Sequence, residues 1–375
     1  MAWKKIILLV GLLLLLAGIA SAQEPTIWTW REAGLQFAYP ADWTYHREQG
    51  YEFILAAPPD PATGESALYV WLQTGLLPED QTLESLITGL GEQFGATVTP
   101  ITFGGVEAFR LDALNSGAEA NVNVVSIGFM PQEGRVGLLS IQGPAADWAN
   151  IAATVVEPLL ASAQVTPLVI DKDSLNTQLQ ASLAAQNTLS IGDPAAPVKM
   201  VEVLDYSCPH CVNYSTAIDR VIQDYVETGK VQLDFVFVTF VGQDFSEIAT
   251  HAMLCATSQG YGWNMHELLI EGYGTVQTDF YSEAAIRAAL GEAAWEGFDP
   301  AAWDTCMADK PFQQVIDDNA VLAQGLDVTS TPSLLYAVAG DEAPTFMLDP
   351  DGEALRGGTA LAVVYSHLDS LLGAE

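Results

Sequence analysis

Two of the four cysteines in this 375-residue chain stand two residues apart, in Cys208-Pro209-His210-Cys211. Thiols at that spacing can close a small disulfide ring and reopen it by exchange. The attacking species is the thiolate, and a free cysteine, with a pKa of about 8.5, is mostly protonated at neutral pH. A strand-to-helix junction corrects this, because unpaired N–H groups and the macrodipole at a helix N-terminus favour negative charge. Pro209 suits the first turn, where a missing N–H costs little. His210 adds a donor and a switchable positive charge beside the sulfur. These positions predict Cys208 as the exposed attacking thiol and Cys211, a turn deeper, as the resolving one. Stabilising the thiolate stabilises the reduced pair, so its disulfide is expected to oxidise other thiols.

Other uses of the motif fit less well. Half of a zinc site would need ligands from Cys255, Cys306 or histidine, and the chain has no second CxxC or CxxH-like cluster. No metal and no cofactor is expected. So tight a ring is a poor structural staple, since the entropic gain grows with loop length. Cys255 and Cys306 lie in apolar, helix-like contexts, Ala252-Met253-Leu254-Cys255-Ala256 and Trp303-Asp304-Thr305-Cys306-Met307. In an exported protein they are expected to form a structural disulfide. Two free thiols packed as small apolar groups are the alternative. His251 and His266 read as partly exposed helix positions.

A reactive strand–helix junction requires a sheet and helices around it. Val198–Leu204 is an apolar strand candidate running into the motif, and Ala217–Val226 continues the helix that the motif opens. Val231–Phe240 reads as a second strand, residues 244–326 as largely helical, and Ser333–Val338 and Pro344–Leu348 as further strands. Asp349-Pro350-Asp351-Gly352 is a turn sequence before a last helix, Ala360–Leu372. This order predicts an α/β thioredoxin-like domain with a helical insertion over residues 189–373. Upstream, residues 26–165 hold strand-like runs at Gly34–Tyr39, Tyr51–Ala56, Ala67–Gln73, Thr97–Phe103, Val106–Ala113, Ala120–Phe129 and Arg135–Gln142. Helical patterns at Leu83–Leu90 and Trp148–Leu159 interrupt them, which predicts an α+β domain on an antiparallel sheet. Residues 166–188 read as a linker with a short helix, its face formed by Leu175, Leu179 and Leu183.

Lys4-Lys5, the apolar run Ile6–Ile19 and Ala20-Ser21-Ala22 predict a signal peptide over residues 1–22. Left uncleaved, it would serve as a membrane anchor. A periplasmic, extracellular or cell-envelope location is therefore expected, where cysteines tend to oxidise. The expected substrates are thiols of exported proteins, and a separate redox partner must reoxidise the pair. The 47 acidic residues against 13 Lys and Arg give a net charge of -34. That balance excludes nucleic acid as a partner, because phosphate backbones require basic stripes.

From Ile191-Gly192-Asp193-Pro194 to Asp205-Tyr206-Ser207 and into the CPHC motif, the chain resembles the DsbA-like thioredoxin family. A second match is Asp327-Val328-Thr329-Ser330-Thr331-Pro332, where the family has Gly-Val-Thr-Gly-Thr-Pro; Asp327 and Ser330 replace the two glycines. The resemblance spans roughly residues 186–372 and implies a thiol–disulfide oxidoreductase. It implies Pro332 as a cis-proline facing the active-site disulfide, and Thr331 as the residue whose backbone pairs with an extended substrate segment. It implies Glu202 as the buried acid six residues before the first cysteine, able to move the Cys211 proton. The N-terminal half resembles the PsbP-like family through Gly34-Leu35-Gln36-Phe37-Ala38-Tyr39-Pro40, Trp43, the Gly104-Gly105 turn and the Trp148 helix. Trp43 and Tyr39 read there as core residues. Two other functions stay open on the sequence. One is a disulfide reductase or isomerase, with the N-terminal domain as dimerisation module. The other is a cell-envelope binding protein with an accessory redox domain.

Overall fold

In the computed structural model the described residues are 26–30, 33–46, 53–78, 81–114, 121–186, 188–338, 340–341, 343–349, 352–357 and 361–373. The predicted signal peptide lies outside them. The chain divides into two compact units. One comprises Gln36–Met130 and Gly134–Val165 with residues 26–29; the other comprises Thr166 onward with Trp30–Leu35 and Pro131–Glu133.

Alternating strands build the first unit. A seven-stranded sheet runs in the order β3 (Thr44–His46), β4 (Phe53–Ala56), β5 (Tyr69–Leu76), β9 (Arg135–Pro144), β8 (Val122–Gln132), β7 (Val106–Ala113), β6 (Thr97–Phe103). A small sheet joins β1 (Thr26–Trp30), β2 (Leu35–Tyr39) and β10 (Gln164–Val165). Helix α1 (Leu83–Phe94) starts at a capping box of Thr82 and Ser85 and ends at left-handed Gly95, φ 61°. Its Ile87 is buried against Phe109 and Leu111. The approach is close enough that a Cβ on Gly128 would meet Ile87 at 2.4 Å. Helices α2 (Trp148–Ile151) and α3 (Glu157–Ser162) flank a π-helical turn, Ala152–Val156. Trp43 is buried, whereas Tyr39 is only half-buried, its ring edge-on to Trp28. The sequence reading did not identify β1, β3 and β10; of these β3 and β10, with 3 and 2 residues, are too short to show alternation.

The second unit opens with α4 (Lys172–Gln186), whose Leu175, Leu179 and Leu183 enter this unit's main apolar cluster. The helix expected within a linker thus contributes to a core. A five-stranded sheet follows, in the order β11 (Leu189–Ile191), β13 (Val231–Phe237), β12 (Val198–Leu204), β14 (Ser333–Val338), β15 (Thr345–Phe346). Central β12 is parallel to β13 and antiparallel to β14. Successive strand side chains point to opposite faces. Val198, Met200 and Leu204 accordingly enter the main cluster, while Val201 and Val203 enter a second one with Val236 and Leu335. Helix α5 (Pro209–Val221) follows β12, and α11 (Leu361–Leu372) closes the chain. Between β13 and β14 lie α6 (Asp244–Ser258), α7 (Gly262–Val276), α8 (Glu283–Ala293), α9 (Pro300–Asp309) and α10 (Gln313–Gly325). A Cys255–Cys306 disulfide, 2.00 Å between sulfurs, ties α6 to α9.

Two local expectations are corrected. Strand β13 stops at Phe237 instead of Phe240: the chain leaves the sheet, and the Val241 amide turns to the Asp205 carboxylate. His251 and His266 are buried, not partly exposed. Each finds a polar partner inside: His251 Nε2 lies 3.0 Å from Gln313 Oε1, and His266 Nδ1 lies 3.0 Å from the Tyr206 hydroxyl. Burial lowers the His266 pKa to about 4, so the ring is neutral.

Candidate active site

An apolar strand, a polar turn and a proline-initiated helix bring the motif to the C-terminal end of β12. The Cys208 amide donates to the Asp205 carbonyl at 3.0 Å, closing the turn. Cys208 then takes the N-cap position of α5 with extended backbone, φ −87° and ψ 114°, and Pro209 occupies the first turn. Pro209 and His210 are exposed. Cys208 is 5 % exposed, less open than an attacking thiol was expected to be. The reason is the loop before β14: the Cys208 thiol donates to the Thr331 carbonyl at 3.3 Å. The Thr331–Pro332 peptide bond is cis. Thr331 and Cys211 are buried, and Cys208 and Cys211 are free thiols.

The two sulfurs have opposite electrostatics. The Cys208 thiol is lowered to about 5, first because the Cys211 thiol donates a hydrogen bond to it. Burial works against this, and the amides of Cys211 and His210 reinforce it. Cys211 moves the other way, far above the ordinary thiol value. Burial is the main cause, followed by its donation to Cys208; the charges of Cys208 and Glu202 add to it. At pH 7 the first sulfur is therefore ionised about a hundredfold over its thiol form, while the second keeps its proton.

Strand register places Glu202. It falls on the face of β12 shared by Met200 and Leu204, opposite Phe235 on β13 and Leu334 on β14. Both partners belong to the main apolar cluster. A carboxylate there loses hydration, and Asp219 on α5 adds repulsion, so the Glu202 pKa rises to about 8.

Three residues of the turn entered the sequence reading only as part of the resemblance, with no role of their own. Asp205, Tyr206 and Ser207 are all buried. Tyr206 stacks on Phe237, centroids 5.1 Å apart, and Asp205 and Ser207 hydrogen-bond to the chain entering α6. Only a polar residue inside an apolar run hinted at Asp205. Tyr273, on α7, also feels this centre: burial raises its phenol, and the Cys208 and Asp205 charges add to that.

Known proteins share this segment. Residues 184–337 match the family model described as Thioredoxin. The "Probable disulfide bond formation protein D" of Bacillus anthracis is 36% identical over 81 residues, covering 21% of this chain and 36% of that protein. The "Disulfide bond formation protein D" of Bacillus subtilis is 28% identical over 160 residues, covering 41% of this chain and 69% of that protein. The chain thus spans about a third of the first relative's length and about two thirds of the second's. Among solved structures, alpha-DsbA1 of Wolbachia pipientis superposes with a TM-score of 0.42 at 20% identity, covering 52% of this chain and 96% of that one. Residues 184–337 of this chain thus match the Thioredoxin family model, and this part of the chain is similar to the disulfide bond formation proteins of Bacillus.

Proposed function

We propose that the chain is an exported thiol–disulfide oxidoreductase that donates disulfides to protein thiols through Cys208 and Cys211. The observation that carries this is the split between the two sulfurs, one lowered to about 5 and the other raised. A substrate thiolate attacks Cys208 of the Cys208–Cys211 disulfide. Cys211 leaves and takes up a proton, with Glu202 as the nearby acid, protonated at neutral pH because its pKa is about 8. A second substrate thiolate then attacks the substrate sulfur of the mixed disulfide, and Cys208 leaves as a thiolate. Two electrons pass from the substrate dithiol to the cysteine pair. A low-pKa thiol leaves faster, which favours this direction over reduction. The cis Thr331–Pro332 segment, beside Cys208, is the proposed place for an extended substrate backbone.

The export signal over residues 1–22, the reoxidising partner and a PsbP-like assignment for residues 26–165 are parts of the same reading. The test is oxidation of a reduced, unfolded protein by stoichiometric disulfide-form enzyme. Wild type is expected to form substrate disulfides, whereas Cys208→Ser and Cys211→Ser, neither of which can hold the Cys208–Cys211 disulfide, should form none. Full activity in Cys208→Ser would contradict the proposal.

A further inference from the structure

The turn between β12 and the nucleophile holds a buried charge that the exchange steps do not use. Asp205 is fully buried. Its Oδ1 accepts from the Ser207 amide at 2.9 Å and the Ser246 hydroxyl at 2.5 Å, and its Oδ2 accepts from the Val241 amide at 2.9 Å. Ser246 Oγ also accepts the Gly242 amide at 3.1 Å and lies 2.9 Å from Ser207 Oγ. One carboxylate therefore joins the residues just before Cys208 to the chain entering α6. The neighbouring Tyr206 is tied to the same insertion: its hydroxyl meets His266 on α7, and its carbonyl accepts the Tyr281 hydroxyl at 2.9 Å. A buried carboxylate persists only when donors replace its lost hydration. Here burial raises the Asp205 pKa, and the bonds from Ser246, Val241 and Ser207 oppose it.

We infer that Asp205 is a positioning residue for Cys208, fastening the turn before the nucleophile to the helical insertion and so fixing where the thiolate sits. The inference rests on Cys208 being the exchanging thiol. The thiolate's stabilising contacts come from α5, and the sulfur also lies 3.3 Å from the Thr331 carbonyl of a separate loop, so the turn must hold it between two elements. A site left loose by its supporting residues loses such contacts at shifts of about 0.5 Å. Asparagine at 205 cannot replace the carboxylate. Its oxygen can accept from Ser207 and Ser246, but its NH₂ would face the Val241 amide, donor against donor. The charged and titratable groups facing the pair are Asp205, Glu202, Tyr273 and Tyr281, with each thiol facing the other.

The test is the pH profile of iodoacetamide alkylation on reduced, full-length protein, comparing wild type, Asp205→Asn and Ser246→Ala. Asp205→Asn is expected to raise the pH of half-maximal Cys208 alkylation by about one unit. At a fixed glutathione ratio its oxidised-to-reduced ratio should rise about tenfold, the couple having become more reducing. Ser246→Ala, which removes one of the three bonds and keeps the charge, should shift both in the same direction by less, and it serves if Asp205→Asn does not fold. An unchanged profile in the variants overturns the inference. So does a downward shift in Asp205→Asn, the result of removing a repelling charge with no change in position. Wild-type alkylation half-maximal near pH 8.5 would instead refute Cys208 as an activated thiol, leaving the two failures distinguishable.

Discussion

Replacing Glu202 by glutamine should make this protein more stable, and increasingly so as pH rises. The carboxyl holds its proton in the folded state up to about pH 8, against an ordinary value of 4.5. Between those values the unfolded chain has released the proton and the folded chain keeps it. Stability then falls with rising pH, because the native state binds more protons. The limiting slope for one proton is about 1.4 kcal/mol per pH unit. The contribution is fully present below pH 4.5 and is lost as pH rises through 8. At pH 7 the cost to the folded state is about 3 kcal/mol as an upper bound, and at pH 4 it is negligible. Glutamine has nearly the same shape and does not titrate. Urea unfolding of both proteins at pH 4, 5.5 and 7 measures the difference. The disulfide form is the one to use, so that Cys208 carries no charge. A constant offset reflects burial of the amide; the growth of the difference with pH reports Glu202. Parallel curves from pH 4 to pH 7 would refute the burial argument for this carboxyl.

Two further outcomes follow from the packing. Cys255 and Cys306 close a loop of 51 residues, so replacing both by alanine should cost about 4 kcal/mol by chain entropy. Denaturant midpoints of the variant and parent check this, with disulfide donation retained by the variant; loss of donation with unchanged stability would oppose a structural role. At Gly242 an added Cβ would sit 2.0 Å from Ser207 Oγ and 2.5 Å from Ser246 Oγ. Gly242→Ala should therefore destabilise by about 1–3 kcal/mol and slow Cys208 alkylation near pH 6. An unfolding midpoint equal to wild type would contradict that close approach.

What the sequence makes legible is local. The apolar run Val198–Leu204 followed by Cys-Pro-His-Cys declares a strand, a turn and a helix start within fifteen residues, and β12 and α5 occupy those places. Leu175, Leu179 and Leu183 mark a helix face, but periodicity does not say which core receives it; contacts far along the chain decide that. Glu202 is located by the family resemblance, yet its raised pKa depends on Phe235 and Leu334, its partners on two other strands. Asp205 was missed because Val241 and Ser246 lie 36 and 41 residues away. His266 was misjudged for the same reason. Its partner Tyr206 is 60 residues distant, and a histidine on an otherwise mixed helix reads as exposed until that partner is known.

The measurement that bears most directly on the central claim is a pH titration of the Cys208 thiolate by its ultraviolet absorbance, paired with the glutathione midpoint of the Cys208–Cys211 couple. The sulfur is expected to ionise near pH 5. The couple should be clearly more oxidising than thioredoxin's, which lies at about −270 mV. A thiol that ionises near 8.5, with a midpoint at or below the thioredoxin value, would contradict the account.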